Sequence, residues 1–515
     1  MTITPTHPGV YITEVPSGNR AITGVATSIT AFVGPADRGP ANEPVQISSL
    51  ADFDRRFGGL ARNSGLGYAV RDFYLNGGGR AIVVRIAAAD AQTATLEVGD
   101  VTLEAAGPGE WANTLEVEVQ HLPDPEAAEV AESQGAGIEG GDLFTLIVRE
   151  APGAEPSEVF RNVTMLDGPR RVDRVLEASL LVQAVAVPDA GNPRPPAATV
   201  TVAAGDEGAS GSTIVATDYA SAALQSSRGG IFALEDADLV NIIVLPPPTP
   251  GGALPAAVWP EALAYAVTRR AFLVVDPPPD TTPADAATFA ADSGLTGIAA
   301  RNAALYYPRV RHADPLRGGT IGTFAPGGVV AGVMARTDGA RGVWKAPAGL
   351  EAAMTGVVDL ERHLTNDENG DLNPRGINAL RTFRDAGSVV WGARTLRGAD
   401  VLADEYGYVP VRRFALFLEE SLFRGTQWVV FEPNDEPLWA QIRLTVGGFL
   451  QDLFRKGAFQ GRTPREAYFV KCDAETTTQF DIDRGIVNIQ VGFAPLKPAE
   501  FVIVSVQQKT AAATD

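Results

Sequence analysis

The segment Glu475–Asp515 reads ETTTQFDIDRGIVNIQVGFAPLKPAEFVIVSVQQKTAAATD and contains two β-branched runs of strand length. Ile486–Phe493 alternates apolar and polar side chains, whereas Phe501–Val506 is apolar on both faces, and both patterns are typical of strands. The connector between them, 494–500, is too long and too rich in proline for a two-residue hairpin turn. The last strand therefore forms either an ordinary edge of its own domain, which the local pattern alone favours, or a pair with another chain's sheet.

The opposite end of the chain, residues 1–22, has the pattern of an extended arm. Three prolines favour extended backbone there, namely Pro5, Pro8 and Pro16. Val10–Val15 has the length and composition of a short strand, and such arms stay disordered unless something pairs with them. Two terminal strands flanked by prolines shift the balance towards donation between chains. Phe501–Val506 is then the expected donated strand, and Ile486–Phe493 stays in its home domain.

The composition limits the class of protein. A chain of 515 residues is too long for one hydrophobic core and predicts roughly two to four domains. The formal net charge of −20 argues against nucleic acid or an anionic membrane as the main partner. The single cysteine, Cys472, excludes an internal disulfide, and no apolar run approaches the roughly 20 residues of a spanning helix. With no signal-like start, we expect a soluble protein made in the cytosol.

Changes of pattern divide the chain into an N-terminal arm and four further segments. Residues 23–89 and 206–345 follow a strand–helix–strand rhythm, which favours one α/β middle domain with a parallel sheet. Between them, residues 90–205 show short alternating strands among loops rich in glycine, proline and acid. This pattern predicts an inserted, outward-facing β-rich domain. Residues 346–515 predict an α+β C-terminal domain, so the fold class is multidomain, α/β and α+β, with exchanged terminal strands.

Individual elements follow from apolar periodicity and capping residues. The predicted strands of the middle domain are Ser28–Gly34, Arg80–Ile86, Asn241–Leu245, Ala271–Asp276 and Asn302–Tyr307. Those of the inserted domain are Thr93–Val98, Leu115–Gln120, Phe144–Glu150 and Thr199–Ala203, with Pro123–Gly141 as a long loop. The predicted helices are Leu50–Phe57, Leu66–Leu75, Trp259–Arg269, Ala325–Met334, Ile377–Arg384 and Val411–Arg424. The C-terminal domain has predicted strands at Ser388–Arg394 and Trp428–Phe431.

The helix with the strongest signals is Leu438–Phe454. Asn434 or Asp435 can cap it, with an acid in its first turn and Arg455–Lys456 at its end, as suits the helix dipole. Its apolar stripe, from Trp439 to Leu453, indicates a core-facing side. The polar face of such a helix is usually only solvated. Here its residues are Gln441, Arg443, Asp452, Arg455 and Lys456.

The sequence lacks the residue patterns that enzymes need. Gly135, Gly137 and Gly140 match a dinucleotide motif by letters only, because no strand precedes them and no helix follows. The four histidines have no metal-ligand spacing, and Cys472 has no activating neighbour. The residues therefore predict no cofactor, no metal and no catalytic site, and point to a structural or interaction protein.

Separate blocks along the chain resemble contractile tail sheath proteins, in the same order. The blocks are His7–Glu14, Ala31–Gly34, Asp52–Phe53, Phe57–Gly59, Phe73–Gly78, Arg80–Ile86, Gly342–Gly349, Leu372–Asn378 and Phe469–Gln507. Only 90–205 is unmatched, which fits a family with variable outer insertions. The resemblance covers sheaths of extracellular injection systems and of myovirus-type phages alike.

The resemblance implies a structural subunit, not an enzyme. Such subunits polymerise as stacked hexameric rings around an inner tube in a metastable extended state, and contraction drives the tube through a target envelope. The implied partners are other copies of the chain, the inner tube protein, and baseplate and terminal cap proteins, with no nucleic acid contact and no membrane insertion. Assembly is expected in the bacterial cytoplasm, and the product is a phage tail or a released particle.

The resemblance also assigns site residues. Intersubunit strand pairing falls on Val10, Tyr11, Ile12, Thr13, Phe501, Val502, Ile503, Val504 and Val506. The tube-facing helix presents Gln441, Arg443, Asp452, Arg455 and Lys456. The hinges beside the exchanged strands are Pro16, Arg20, Pro495 and Pro498. Two rival functions are an enzyme with its site at the strand ends of the α/β core and a cell-surface-binding protein that uses 90–205.

Overall fold

The computed structural model describes residues 21–134, 137–155, 157–188 and 194–505. They fall into two compact units. The first unit spans 27–413, and the second comprises 21–26 with 414–505. None of the helices in these ranges is both long and apolar enough to cross a bilayer.

Strands are numbered in chain order. They are β1 (Thr30–Pro35), β2 (Pro44–Ile47), β3 (Ala81–Ile86), β4 (Thr95–Val98), β5 (Val101–Ala105), β6 (Glu116–Gln120), β7 (Leu143–Arg149), β8 (Glu158–Thr164), β9 (Val182–Ala186), β10 (Ala198–Thr201), β11 (Ile242–Val244), β12 (Phe272–Val275), β13 (Ala303–Tyr307), β14 (Val310–Asp314), β15 (Thr320–Phe324), β16 (Asp359–Leu360), β17 (Ile377–Phe383), β18 (Gly387–Val390), β19 (Tyr468–Lys471) and β20 (Gln490–Phe493).

Helices are numbered in the same way. They are α1 (Leu50–Phe57), α2 (Leu66–Leu75), α3 (Asp124–Gln134), α4 (Val172–Leu176), α5 (Ala216–Tyr219), α6 (Ala222–Ser227), α7 (Val258–Thr268), α8 (Pro283–Asp292), α9 (Gly327–Arg341), α10 (Asn366–Leu372), α11 (Val409–Gly425), α12 (Glu436–Arg455), α13 (Pro464–Ala467) and α14 (Gln479–Asp483).

The first unit is built on an eight-stranded sheet of order β18-β17-β13-β12-β11-β1-β3-β2. The six inner strands pair in parallel, and the two edge strands are antiparallel. Five of the six, all except β17, are buried on both faces, which explains their continuous apolar sequences. The predicted α/β core is confirmed at the level of these elements.

The helices that cover this sheet follow the predicted signals. Ser49 accepts a hydrogen bond from the Asp52 backbone N–H at the start of α1, and Gly58 ends the helix with φ 85°. The small-residue helix α9 packs against α2, where a side chain at Gly328 would collide with the Ala69 backbone. The composition of 325–334 therefore reflects close helix–helix contact.

Residues between β3 and β11 form two further sheets in the first unit, with strand orders β4-β5-β9 and β10-β6-β7-β8. Their inward side chains share one apolar core. All four predicted strands are present with shifted ends. The prediction of a loop over Pro123–Gly141 is wrong for Asp124–Gln134, which is the helix α3.

The predicted helix Ile377–Arg384 is wrong, because Ile377–Phe383 is the strand β17. It pairs in parallel with β13 and antiparallel with β18. The carboxamide of Asn378, which is fully buried, bonds to the Leu305 carbonyl at 3.1 Å and to the Arg394 backbone N–H at 2.6 Å. The division between units also falls between Arg413 and Phe414, not at 345/346, because β17 and β18 extend the sheet of the first unit.

The second unit contains α12 and the two-stranded sheet of β19 and β20. Asp435 caps α12 by accepting from the Leu438 N–H, as predicted, and the apolar stripe of the helix is buried. The Tyr468 hydroxyl donates to Gln451 Oε1 at 2.8 Å, which ties β19 to the C-terminal half of α12. The predicted strand Trp428–Phe431 is wrong: Gln427–Val429 is a single 3₁₀ turn, and no strand pairs with it among the described residues.

Candidate functional site

The C-terminal segment that follows β20 is the most exposed apolar stretch of the second unit. Phe501, Val502, Ile503 and Val504 are 74%, 82%, 90% and 77% exposed. The segment 501–505 pairs with no strand of the described residues. Leaving four large apolar side chains in water is unfavourable by about 1.5–3 kcal/mol each relative to full burial. The chain therefore offers an unpaired strand of high β propensity.

The linker before this segment is partly attached to its own unit. Pro495 forms an antiparallel bridge with Phe459, and the Gln460 N–H donates to the Ala494 carbonyl at 2.9 Å. Pro498 is half-buried. The chain is therefore held as far as Pro495, and any hinge in the linker has to act beyond it.

The β19–β20 sheet is the home sheet of the C-terminal segment. Its two strands pair antiparallel, with Tyr468 opposite Phe493 and Lys471 opposite Gln490. The prediction that Ile486–Phe493 stays in the home domain is confirmed for Gln490–Phe493. A two-stranded sheet has two open edges and is only marginally stable without further strands or packing. It is a natural acceptor for added strands.

Exposed large apolar side chains are concentrated in the second unit. Its described part has ten, against twelve in the several-fold longer first unit. The ten are Phe423, Val430, Phe431, Leu444, Phe469, Phe480, Phe501, Val502, Ile503 and Val504. All five of the strongly exposed phenylalanines lie there. Such a density is typical of a surface that another molecule covers.

The polar residues of α12 differ in their exposure and in the contacts that they make within the second unit. Arg443 donates to Glu436 Oε1 at 2.6 Å and to the Cys472 carbonyl, so it is engaged within the unit. Gln441 is half-buried. Asp452 and Arg455 form an exposed ion pair at 3.7 Å, and Lys456 is exposed beside them. The outward charges of this helix therefore cluster at its C-terminal end.

Several predicted site residues lie outside the described residues. They are Val10, Tyr11, Ile12, Thr13, Pro16, Arg20 and Val506. The exposed Phe431, Phe469 and Phe480 were not predicted as site residues. The turn signal of Pro433–Asn434, which begins two residues after Phe431, is the sequence feature that argues against a buried strand there.

The crevice at the carboxyl ends of β11 and β12 is where open parallel sheets commonly bind ligands. Here it is filled by side chains, and the remaining cavity of about 10 Å³ has room for about one water molecule. Its lining residues include Tyr68, Pro246, Pro247, Asp276 and Phe324. No group of three or more metal-ligating side chains occurs in the part of the chain that the structure describes. The crevice cannot hold a nucleotide or sugar in this form.

Asp276 in this crevice makes the stability of the first unit depend on pH. Burial raises its pKa to about 7 from the ordinary 3.8, although the charge of Arg309 acts in the opposite direction. The folded state therefore binds the proton more tightly, and the contribution of Asp276 to stability falls as the pH rises from about 4 to 7.

Between pH 5 and 8, we expect the wild type to lose about 2 kcal/mol relative to Asp276→Asn, which has no such proton. Urea unfolding of both proteins across this range measures the difference. Parallel stability curves for the two proteins would contradict the assignment.

Comparison with known proteins gives a consistent result. Residues 253–396 match the family model of the phage tail sheath protein central domain, and residues 403–509 match that of the phage tail sheath C-terminal domain. The tail sheath protein of Vibrio phage KVP40 is 25% identical over 179 residues, which are 35% of this chain. The match spans a quarter of that protein's length, 25%.

Solved sheath structures share the fold. The sheath of an extracellular contractile injection system, PVC, in its contracted state has 22% identity and a TM-score of 0.57, with 99% of each chain covered. The contracted helical sheath of the anti-feeding prophage has 23% identity and a TM-score of 0.57, covering 98% of this chain and 100% of that one. The sheath tail protein of Listeria innocua has 16% identity and a TM-score of 0.58, covering 92% and 96%.

The two matched domains and the shared fold define a structural component of a contractile, phage tail-like particle. Together these matches support a contractile tail sheath protein.

Proposed function

We propose that this chain polymerises as stacked hexameric rings around an inner tube and holds the sheath in a metastable extended state. Contraction then drives the tube through a target envelope. The observation that carries the proposal is the exposed, unpaired segment Phe501–Ser505 beside a two-stranded sheet. A subunit with this surface is incomplete alone and becomes complete in a polymer.

The linkage between subunits is strand donation. Val10–Val15 of one copy and Phe501–Val506 of another are added to the β19–β20 sheet of a third. Backbone hydrogen bonds hold such a mesh without dependence on particular side chains. The hinges are Pro16 and Arg20 at one end and the linker around Pro495 and Pro498 at the other. The attachment of Pro495 to Phe459 supports a hinge that acts between Pro495 and Phe501.

The tube contact is assigned to α12. Asp452, Arg455 and Lys456 are exposed at its C-terminal end, where the ion pair of Asp452 and Arg455 at 3.7 Å can be exchanged for charges on the tube. Gln441 and Arg443 contribute from its first half. Charge pairs at a wet surface are weak and reversible, which suits contacts that break on contraction.

The remaining partners follow from this role. Baseplate and terminal cap proteins bind the two ends of the sheath, and no nucleic acid, membrane insertion or cofactor is involved. The work comes from a packing of lower free energy in the contracted state, not from nucleotide hydrolysis. Assembly takes place in the bacterial cytoplasm, and the product is part of a phage tail or a released particle.

Electron microscopy of the purified chain and of two truncations tests the proposal. We expect rings or tubes from the full chain and none from variants that lack 1–20 or 500–515, because each variant loses one donated strand. Thermal unfolding checks that the truncated subunits are folded. Normal tubes from both truncations would refute strand donation, and a full chain that stays monomeric would refute the sheath role.

A further inference from the structure

The turn that precedes α12 has an unusual residue at its most restricted position. Val430 has φ −65° and ψ 128°, Phe431 has φ 70°, and the Glu432 N–H donates to the Val429 carbonyl at 3.2 Å. These values define a type II turn with phenylalanine at the third position, where positive φ favours glycine. A bulky side chain with this φ strains the backbone.

Contacts among the described residues do not explain the strained residue. Phe431 is 103% exposed and Val430 is 60% exposed. The turn is nevertheless held in place, since the Asn434 side chain donates to the Ile486 carbonyl at 3.0 Å and accepts from Trp439 Nε1 at 2.8 Å. The turn thus presents a fully exposed aromatic side chain on a strained backbone. A strained backbone whose side chain makes no stabilising contact in the fold indicates that the side chain binds another molecule.

Opposite charges flank the two ends of α12. Residues 430–443 contain three acids and one base, Arg443, for a net charge of −2, whereas residues 452–466 contain four bases and two acids, Asp452 and Glu466, for a net charge of +2. The helix dipole accounts only for charges in the first and last turns. Glu432, Arg462 and Arg465 lie outside the helix and are exposed. The helix has 20 residues, so the two ends are about 30 Å apart.

The basic end also carries an exposed apolar platform. Phe469 in β19 is 57% exposed, and its ring lies so close over Gly492 of β20 that a side chain there would collide with it. The neighbouring Tyr468 is bonded to Gln451, which places this platform beside the C-terminal half of α12. Arg462 and Arg465 directly precede β19, so this end combines positive charge with an aromatic face.

We propose that the turn Val430–Glu432 of one copy docks on the surface formed by Arg462, Arg465 and Phe469 of a second copy. Phe431 packs on the Phe469 face, and Glu432 pairs with the arginines. The two surfaces differ, so the contact is head-to-tail and generates rings or helical stacks instead of closed two-fold dimers. The contact rests on the proposed self-assembly and adds to it a side-chain interface that is separate from the exchanged strands.

The first test compares Phe431→Gly with the wild type as purified full chains. Glycine relieves the strained φ, so the thermal midpoint of the subunit is expected to be no lower than that of the wild type. Loss of a central aromatic anchor is expected to raise the concentration needed for polymerisation about tenfold. Ile298→Ala, at an exposed apolar residue of the first unit and outside this surface, is the control and leaves this concentration unchanged.

The second test identifies the partner surface by charge reversal. Glu432→Arg and Arg465→Glu are each expected to weaken polymerisation, and the double variant is expected to recover it at least in part. Sedimentation velocity of the full chains reads the association directly. Unchanged association in Phe431→Gly, or a double variant weaker than both single variants, would overturn the contact. If Phe431 matters only when inner tube protein is present, the second copy is the wrong partner. A wild type that never associates would instead refute the proposed sheath role.

Discussion

Arg413→Ala is expected to destabilise the first unit by about 3–5 kcal/mol, the largest stability effect in the described chain. Arg413 forms two hydrogen bonds with Asp338, at 3.0 and 2.6 Å, and a third with the Thr27 carbonyl at 2.9 Å. Both charged side chains are only 3% exposed. The substitution leaves a carboxylate in the interior with no compensating cation, and burial already raises the pKa of Asp338 in spite of Arg413.

Denaturant unfolding monitored by tryptophan fluorescence measures this loss. Arg55→Ala is the matched control, because Arg55 pairs with Asp52 at 2.7 Å but its side chain is 64% exposed. Its loss is expected to cost less than about 1 kcal/mol. Equal effects of the two substitutions would show that the buried pair has no special role. Replacing Asp338 and Arg413 together by apolar residues is expected to cost less than Arg413→Ala alone, since no unpaired charge is left.

Most of the α/β core could be predicted from the sequence because local and tertiary signals agree there. Ser49 and Gly58 delimit α1, and both act as the sequence indicates. Five of the inner strands, β1, β3, β11, β12 and β13, are short apolar runs that are buried on both faces, and their length distinguishes them from helices where periodicity does not. Such elements can be predicted from the sequence because their capping residues, composition and packing all favour the same structure.

The errors arise where a tertiary contact overrides the local pattern. Ile377–Phe383 has apolar residues at helical spacing, yet it pairs in parallel with β13 and is a strand of the sheet. The Asn378 carboxamide bridges the Leu305 carbonyl and the Arg394 backbone N–H. A local sequence pattern does not predict these hydrogen bonds, because the partner residues are 73 and 16 positions away in the chain.

The candidate site was only partly predictable for a related reason. The apolar run Phe501–Val506 signals a strand, but its lack of a partner is visible only when the home sheet is known. Trp428–Phe431 has strand composition, and only the turn geometry shows that Phe431 points into solvent with a strained backbone. Surfaces that serve assembly are selected for partners absent from the chain, so local rules that assume burial fail there.

A single proline in the donated strand is expected to abolish polymerisation without weakening the subunit. Residues 501–505 are exposed and pair with no strand among the described residues, so proline there removes no hydrogen bond found in that part of the chain. In an added strand, proline lacks the N–H that the acceptor sheet needs and is tolerated only where that N–H faces away. The N–H groups of consecutive strand residues point to opposite edges. Val502→Pro therefore removes the N–H at one edge of the strand, and Ile503→Pro removes it at the other.

If the donated strand lies inside the completed sheet, both variants fail to polymerise. If it forms an edge, one of them fails, and the other assembles at a concentration close to that of the wild type. Electron microscopy and sedimentation of the two proteins distinguish these cases, with Val502→Ala as a control that keeps the backbone N–H. The thermal midpoint is expected to match that of the wild type in all three. Normal tubes from both strand variants would show that the segment binds by its side chains alone, because no backbone pairing at this strand would survive both substitutions.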